Sequence, residues 1–91
     1  MRLFLVHAGF YDENVSGGFY ESHTNYFVVA EDVKDAKSKA KEISEYKKNK
    51  MHIDGIKELD TVNGYKIVLE KNEDDIQDNG SKYSYDDVKK I

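Results

Sequence analysis

The sequence contains no cysteine, no proline and no tryptophan. Without cysteine there is no disulfide, no thiolate metal ligand and no thiol nucleophile, and nothing calls for an oxidising compartment. Long hydrophobic runs are missing as well. The apolar stretch within MRLFLVHAGF is too short to span a bilayer. As a secretory h-region it is interrupted by His7, and no small-residue cleavage pattern follows. It therefore reads as a strand, and the protein as cytoplasmic with no membrane partner. An excess of basic charge is also lacking. The net charge of −4 argues against binding along a phosphate backbone, so a nucleic-acid partner is not expected. It argues equally against adhesion to an anionic membrane face. Abundant Lys, Asn, Ile and Tyr, with no Pro or Trp, point to an AT-rich bacterial genome.

What is present suffices for one small core. The chain has 91 residues, of which 38% are hydrophobic and 35% charged. A chain of this size buries about 60–65% of its unfolded surface, enough for one domain with a heavily charged exterior. Leu3 to His7 (LFLVH) reads as a buried central strand. A polar stretch from Ala8 to Thr24, with Gly9, Gly17 and Gly18, reads as a long loop, a length that favours a binding or mobile segment. Asn25 to Ala30 (NYFVVA) reads as the second strand. Asp32 then offers an N-cap, with Asp35 three residues on. Val33, Ala36, Ala40, Ile43 and Tyr46 or Lys47 form an apolar stripe that predicts a helix over Val33–Lys47.

Met51 to Thr61 and Gly64 to Glu70 read as a hairpin about Asn63-Gly64. A two-residue turn would pair Asp60 with Ile67. A three-residue loop would pair Leu59 with Ile67 and Thr61 with Tyr65, and same-face apolar pairing favours it. The expected fold is α+β: a small antiparallel or mixed sheet in β-β-α-β-β order, with one amphipathic helix packed on one face. Residues 1–70 form the domain. Residues 71–91 are an acidic polar tail in which Ser84 caps a short terminal helix, Tyr85 to Lys90.

Two short patterns carry the candidate chemistry, Glu21-Ser22-His23 and His52-Ile53-Asp54. In a strand, residues i and i+2 share a face, so Glu21 projects with His23 and His52 with Asp54. If the two segments are neighbours, two imidazoles and two carboxylates converge. Such a set suits a divalent metal, with His23, His52 and Asp54 as ligands, or a carboxylate-oriented histidine acting as general base. The plainer alternative is a set of ordinary polar residues on the wet side of a half-exposed sheet. His7 could join from the end of the first strand, or be a hydrogen-bonded residue of the interior. The aromatics Phe10, Tyr11, Phe19, Tyr20 and Tyr26 could line a pocket or pack the core. The glycines match no phosphate loop, and no serine sits in a nucleophile elbow.

Taken in order, Glu21-Ser22-His23-Thr24, Phe27-Val28-Val29, His52-Ile53-Asp54 and Val62-Asn63-Gly64-Tyr65-Lys66-Ile67 resemble the motifs of a bacterial family, domain of unknown function 1543. The resemblance covers roughly Leu3 to Leu69. Ser22 and Thr24 stand where that family tends to have Leu and Asp, and Phe10 where a second Gly is usual. The resemblance implies that His23, His52 and Asp54 mark one locus, and that a single copy of the unit pairs as a homodimer. It implies no activity. The reading is a small binding or interaction module of unknown ligand. The alternative is a metal-assisted or histidine-based hydrolase. No cofactor is expected, with a divalent metal as the one exception the cluster admits.

Overall fold

A computed structural model describes residues 1–73 and 80–91. The part of the acidic tail between 74 and 79 lies outside the described residues. The architecture is α+β, built on a three-stranded antiparallel sheet. β1 (Arg2–Tyr11) is its central strand, flanked by β2 (Glu21–Ala30) and β3 (His52–Glu58). β1 and β2 pair in unbroken register from Arg2–Ala30 to Tyr11–Glu21. β3 pairs with the other edge of β1, from Phe4–Glu58 to Gly9–His52.

Both β1 and β2 are longer than their apolar runs. The expected loop from Ala8 to Thr24 shrinks to residues 12–20, which hold a 3₁₀ turn at Ser16–Gly18. Asp12 organises this loop, accepting the Asn14 N–H on its side chain and the Val15 N–H on its carbonyl. The missed strand ends alternate as strands must: Ala8 is fully buried and Phe10 half-buried, while Tyr11 is exposed. Gly9 and the inward-facing polar residues Ser22 and Thr24 conceal that alternation in the sequence.

The expected single helix is two. α1 (Val33–Lys41) begins at Asp32, whose carboxylate accepts the Asp35 N–H at 2.8 Å. Asp35 reaches back to the Glu31 N–H and pairs with Lys39. Those contacts, the backbone bond first, hold its carboxyl below the usual range. Ile43 then turns extended (ψ 131°), and α2 (Ser44–Lys48) starts afresh. The stripe explains the break. At about 100° per residue, a continuous helix would turn Lys47 toward the sheet and carry Tyr46 round to the flank. Restarting the helix buries Tyr46 instead.

Among the described residues the buried core lies on one side of the sheet. Phe4, Val6, Val28 and Ala30 pack against Ala36 and Ala40 of α1, whose small side chains let the helix lie close. A second cluster joins Ala8, Tyr46 and Met51 with the half-buried Phe10, Tyr26, Ile43 and Ile53. The expected aromatic group therefore divides. Phe10 and Tyr26 belong to the core, while Tyr11, Phe19 and Tyr20 are exposed. The Tyr26 hydroxyl donates to Glu45 Oε1 at 2.5 Å beside Met51. Burial first, then the Glu45 carboxylate, push its pKa up to about 12.

The hairpin also departs from expectation. β4 (Thr61–Val62) and β5 (Tyr65–Lys66) pair as Thr61–Lys66 and Val62–Tyr65, around a two-residue turn. Asn63 and Gly64 both take left-handed backbone angles (φ 53° and 82°), which suits a type I′ turn and overrides the apolar pairing. β3 pairs with β1 rather than with the strand after the turn, so the sheet is not a simple β-β-α-β-β set. α3 (Tyr85–Lys89) is capped by Ser84 and Asp87 in a reciprocal box, and buries none of its residues. Among the described residues no helix is long and apolar enough to cross a membrane.

Candidate metal centre

The face of the sheet turned away from the helices carries Leu3, Leu5, His7 and Gly9 of β1. From β2 it carries Glu21, His23, Asn25, Phe27 and Val29, by alternation with the buried set. β3 reaches the same face in an irregular way. Ala8 pairs with Ile53 and His7 with Gly55, which leaves Asp54 without a partner on β1. This β-bulge keeps Ile53 and Ile56 both against the core, three positions apart. It also puts Asp54 on the open face beside His52.

The two patterns singled out in the sequence meet here. Gly9 is the paired residue of His23 on one side and of His52 on the other. His52 Nε2 is 2.6 Å from Glu21 Oε1 and 3.2 Å from Asp54 Oδ1. His23 Nε2 is 3.3 Å from the same Glu21 oxygen and 3.1 Å from Asp54 Oδ2. Two imidazoles from opposite edge strands thus share two carboxylates, directly above the central strand. All four side chains keep between 30% and 48% of their surface in solvent, so small molecules reach them.

Gly9 makes this convergence possible. A Cβ at this position would land on Glu21 Oε1 and lie 2.7 Å from both His52 Nε2 and Asp54 Oδ2. The polar tips occupy the volume that any other residue would fill. A glycine inside a strand signals a close approach of this kind. Placed in a loop by the sequence reading, Gly9 gives no such signal.

His7 does join. Its ring stacks on His23 with centroids 4.8 Å apart and planes 4° from parallel. Its Nδ1 lies 2.7 Å from Asn25 Oδ1, contributed by its paired residue on β2. Asn25 was not singled out beforehand, because its role depends on the β1–β2 register. Donor atoms of Glu21, His52 and Asp54 lie within 4.8 Å of one another, as do those of His7, His23 and Asp54.

Imidazole nitrogen with carboxylate oxygen is a donor set that zinc and its neighbours accept. Donors on a tetrahedral zinc stand about 3.3–3.4 Å apart, from Zn–N bonds of about 2.0–2.1 Å. Of the four separations above, the three of 3.1 to 3.3 Å already lie near that value, and the His52–Glu21 hydrogen bond of 2.6 Å opens by tenths of an ångström to reach it.

No curated protein and no solved structure gives a significant match to the chain. A family model does, over residues 18–69, a span that holds Glu21, His23, His52 and Asp54 and excludes His7 and Gly9. That match runs from the end of the first loop through the Asn63-Gly64 hairpin, more than half of the chain, and the protein belongs to the Domain of Unknown Function family DUF1543.

Proposed function

We propose that this protein is a small cation-binding module whose open sheet face holds a divalent transition metal between Glu21, His23, His52 and Asp54. One observation carries the reading. Side chains from two strands that do not pair with each other fill the space over a glycine that could carry no side chain without displacing them. A wet sheet surface of unrelated polar residues has no need of such a vacancy. The bulge at Asp54 supports it, since it adds a carboxylate to the face without moving the core isoleucines.

The test is metal binding by the purified chain. Titration with Co²⁺ is expected to give the visible spectrum of a low-coordinate nitrogen–oxygen site, displaced by Zn²⁺. His52→Ala and Asp54→Asn are each expected to weaken binding by at least about 100-fold, since even outer-sphere partners of a metal ligand are worth about 10–100-fold. Equal weak binding by the native chain and both variants would sink the reading.

A second reading, a metal-assisted hydrolase, draws on the exposure of the cluster, which leaves water and a substrate room to bind. It predicts metal-dependent hydrolysis of activated esters that Glu21→Gln abolishes. Within either reading the protein works in a bacterial cytoplasm. It pairs with a second copy of the chain. A strict monomer by light scattering at high concentration would remove the pairing.

A further inference from the structure

Asp54 does not aim its carboxylate at one ring. Oδ2 faces His23 Nε2 at 3.1 Å, while Oδ1 faces His52 Nε2 at 3.2 Å. Two oxygens of one carboxylate, turned to two imidazoles on opposite strands, have the disposition of a bridge. The donor atoms also divide into two groups that share Asp54: His7, His23 and Asp54 in one, Glu21, His52 and Asp54 in the other. We propose that the site is binuclear. One divalent transition-metal ion is held by His7, His23 and Asp54, a second by Glu21, His52 and Asp54, and the Asp54 carboxylate bridges them. The proposal rests on the cation-binding reading of the same residues.

His7 is prepared for this role. Asn25 Oδ1 can only accept, so the His7 Nδ1 facing it at 2.7 Å donates. In the neutral ring the lone pair then falls on Nε2. An amide holding the far nitrogen of a ligating imidazole is the usual outer-sphere device for fixing tautomer and ring orientation. The parallel stack on His23 holds the two rings as a pair. On the other side, the residue paired with His7 is Gly55, around whose missing Cβ there is open space.

The charge balance gives the centre a ligand class. Two divalent ions bring four positive charges, Glu21 and Asp54 cancel two, and neutral imidazoles cancel none. Three protein donors per ion leave a coordination position on each. Metal ions sharing a carboxylate stand about 3.5–4 Å apart, so a hydroxide or the oxygens of a small oxyanion can span them. The residual charge of two favours anionic over neutral ligands.

Stoichiometry and magnetic coupling test the proposal. The native chain is loaded with Mn²⁺ or Co²⁺, desalted, and its metal measured by mass spectrometry. The expected result is two ions per chain, with the Mn²⁺ form showing the exchange-coupled electron paramagnetic resonance of a carboxylate-bridged pair. His7→Phe keeps the ring stack and removes the donor. It is expected to retain one ion and an uncoupled spectrum, with an unchanged circular dichroism spectrum. Asn25→Ala is expected to weaken the ion held by His7 and His23 about 10- to 100-fold and to leave the ion held by Glu21 and His52 in place. A native chain that saturates at one ion overturns the binuclear centre while leaving the cation-binding reading intact. So does a coupled pair that survives His7→Phe. A native chain that binds no ion overturns both.

Discussion

The two faces of the central strand are opposite in kind. On one, Phe4, Val6 and Ala8 are wholly buried beneath α1 and α2. On the other, His7 and Gly9 lie among ionisable side chains open to water. Alternation along β1 separates the labour: odd positions carry the polar cluster and even positions carry the core. Burial of apolar area on the even face stabilises the fold, while hydrogen-bonded polar groups on the odd face add little net stability because water competes for them. Changes on the two faces should therefore be read by different measurements.

The largest effect is expected on the buried face. Phe4→Ala should cost about 3–5 kcal/mol of unfolding free energy, the usual range for deleting a core phenylalanine. Urea denaturation measures it, and a loss below about 1 kcal/mol would show that the two faces are less distinct than their burial implies. Gly9→Ala reverses the comparison. The new methyl meets only the tips of flexible side chains, so stability should move by no more than about 1 kcal/mol. Metal affinity should nevertheless fall by at least about 10-fold, since outer-sphere disturbances alone cost that much. A destabilised Gly9→Ala chain with intact metal binding would break the distinction outright.

Tyr26 sharpens it through pH. Its folded pKa of about 12 lies above the value of about 10 in an unfolded chain. The native state therefore favours the protonated hydroxyl. The stability this contributes is fully present below pH 10 and is lost as the pH rises from 10 through 12. Tyr26→Phe should be less stable than the native chain at neutral pH by about 1 kcal/mol, the usual net worth of a hydrogen bond. The gap should close as the pH approaches 12, as urea midpoints at several pH values would show. The smallest effect is expected at Phe27, which sits on the neighbouring strand but leaves 72% of its surface exposed. Phe27→Ser should change stability by no more than about 0.5 kcal/mol, against the several lost at Phe4.

Much of this contrast was legible in the sequence, because strand alternation is a local rule. Glu21 with His23, and His52 with Asp54, could be placed on shared faces from spacing alone. That the two pairs meet over β1 depends on strand order, and no local pattern encodes strand order. The family resemblance supplied the link instead. Gly9 is hidden in the sequence because a glycine amid polar residues resembles a loop, and only the register shows what crosses above it. The helix break at Ile43 was hidden by a stripe that accepted either Tyr46 or Lys47. Apolar pairing points to the wrong hairpin register, because two consecutive left-handed residues at Asn63 and Gly64 decide it.

The bulge in β3 has one consequence for how this architecture can change. Asp54 is an interstitial residue. Excising it would let Ile53 and Gly55 follow one another against Ala8 and His7, and the ladder would close into a regular one. Both isoleucines would keep their seats, so the interior would not register the loss. Only the open face would, by one carboxylate. A single-codon deletion or insertion can therefore switch the chemistry of this surface while leaving the scaffold beneath it untouched.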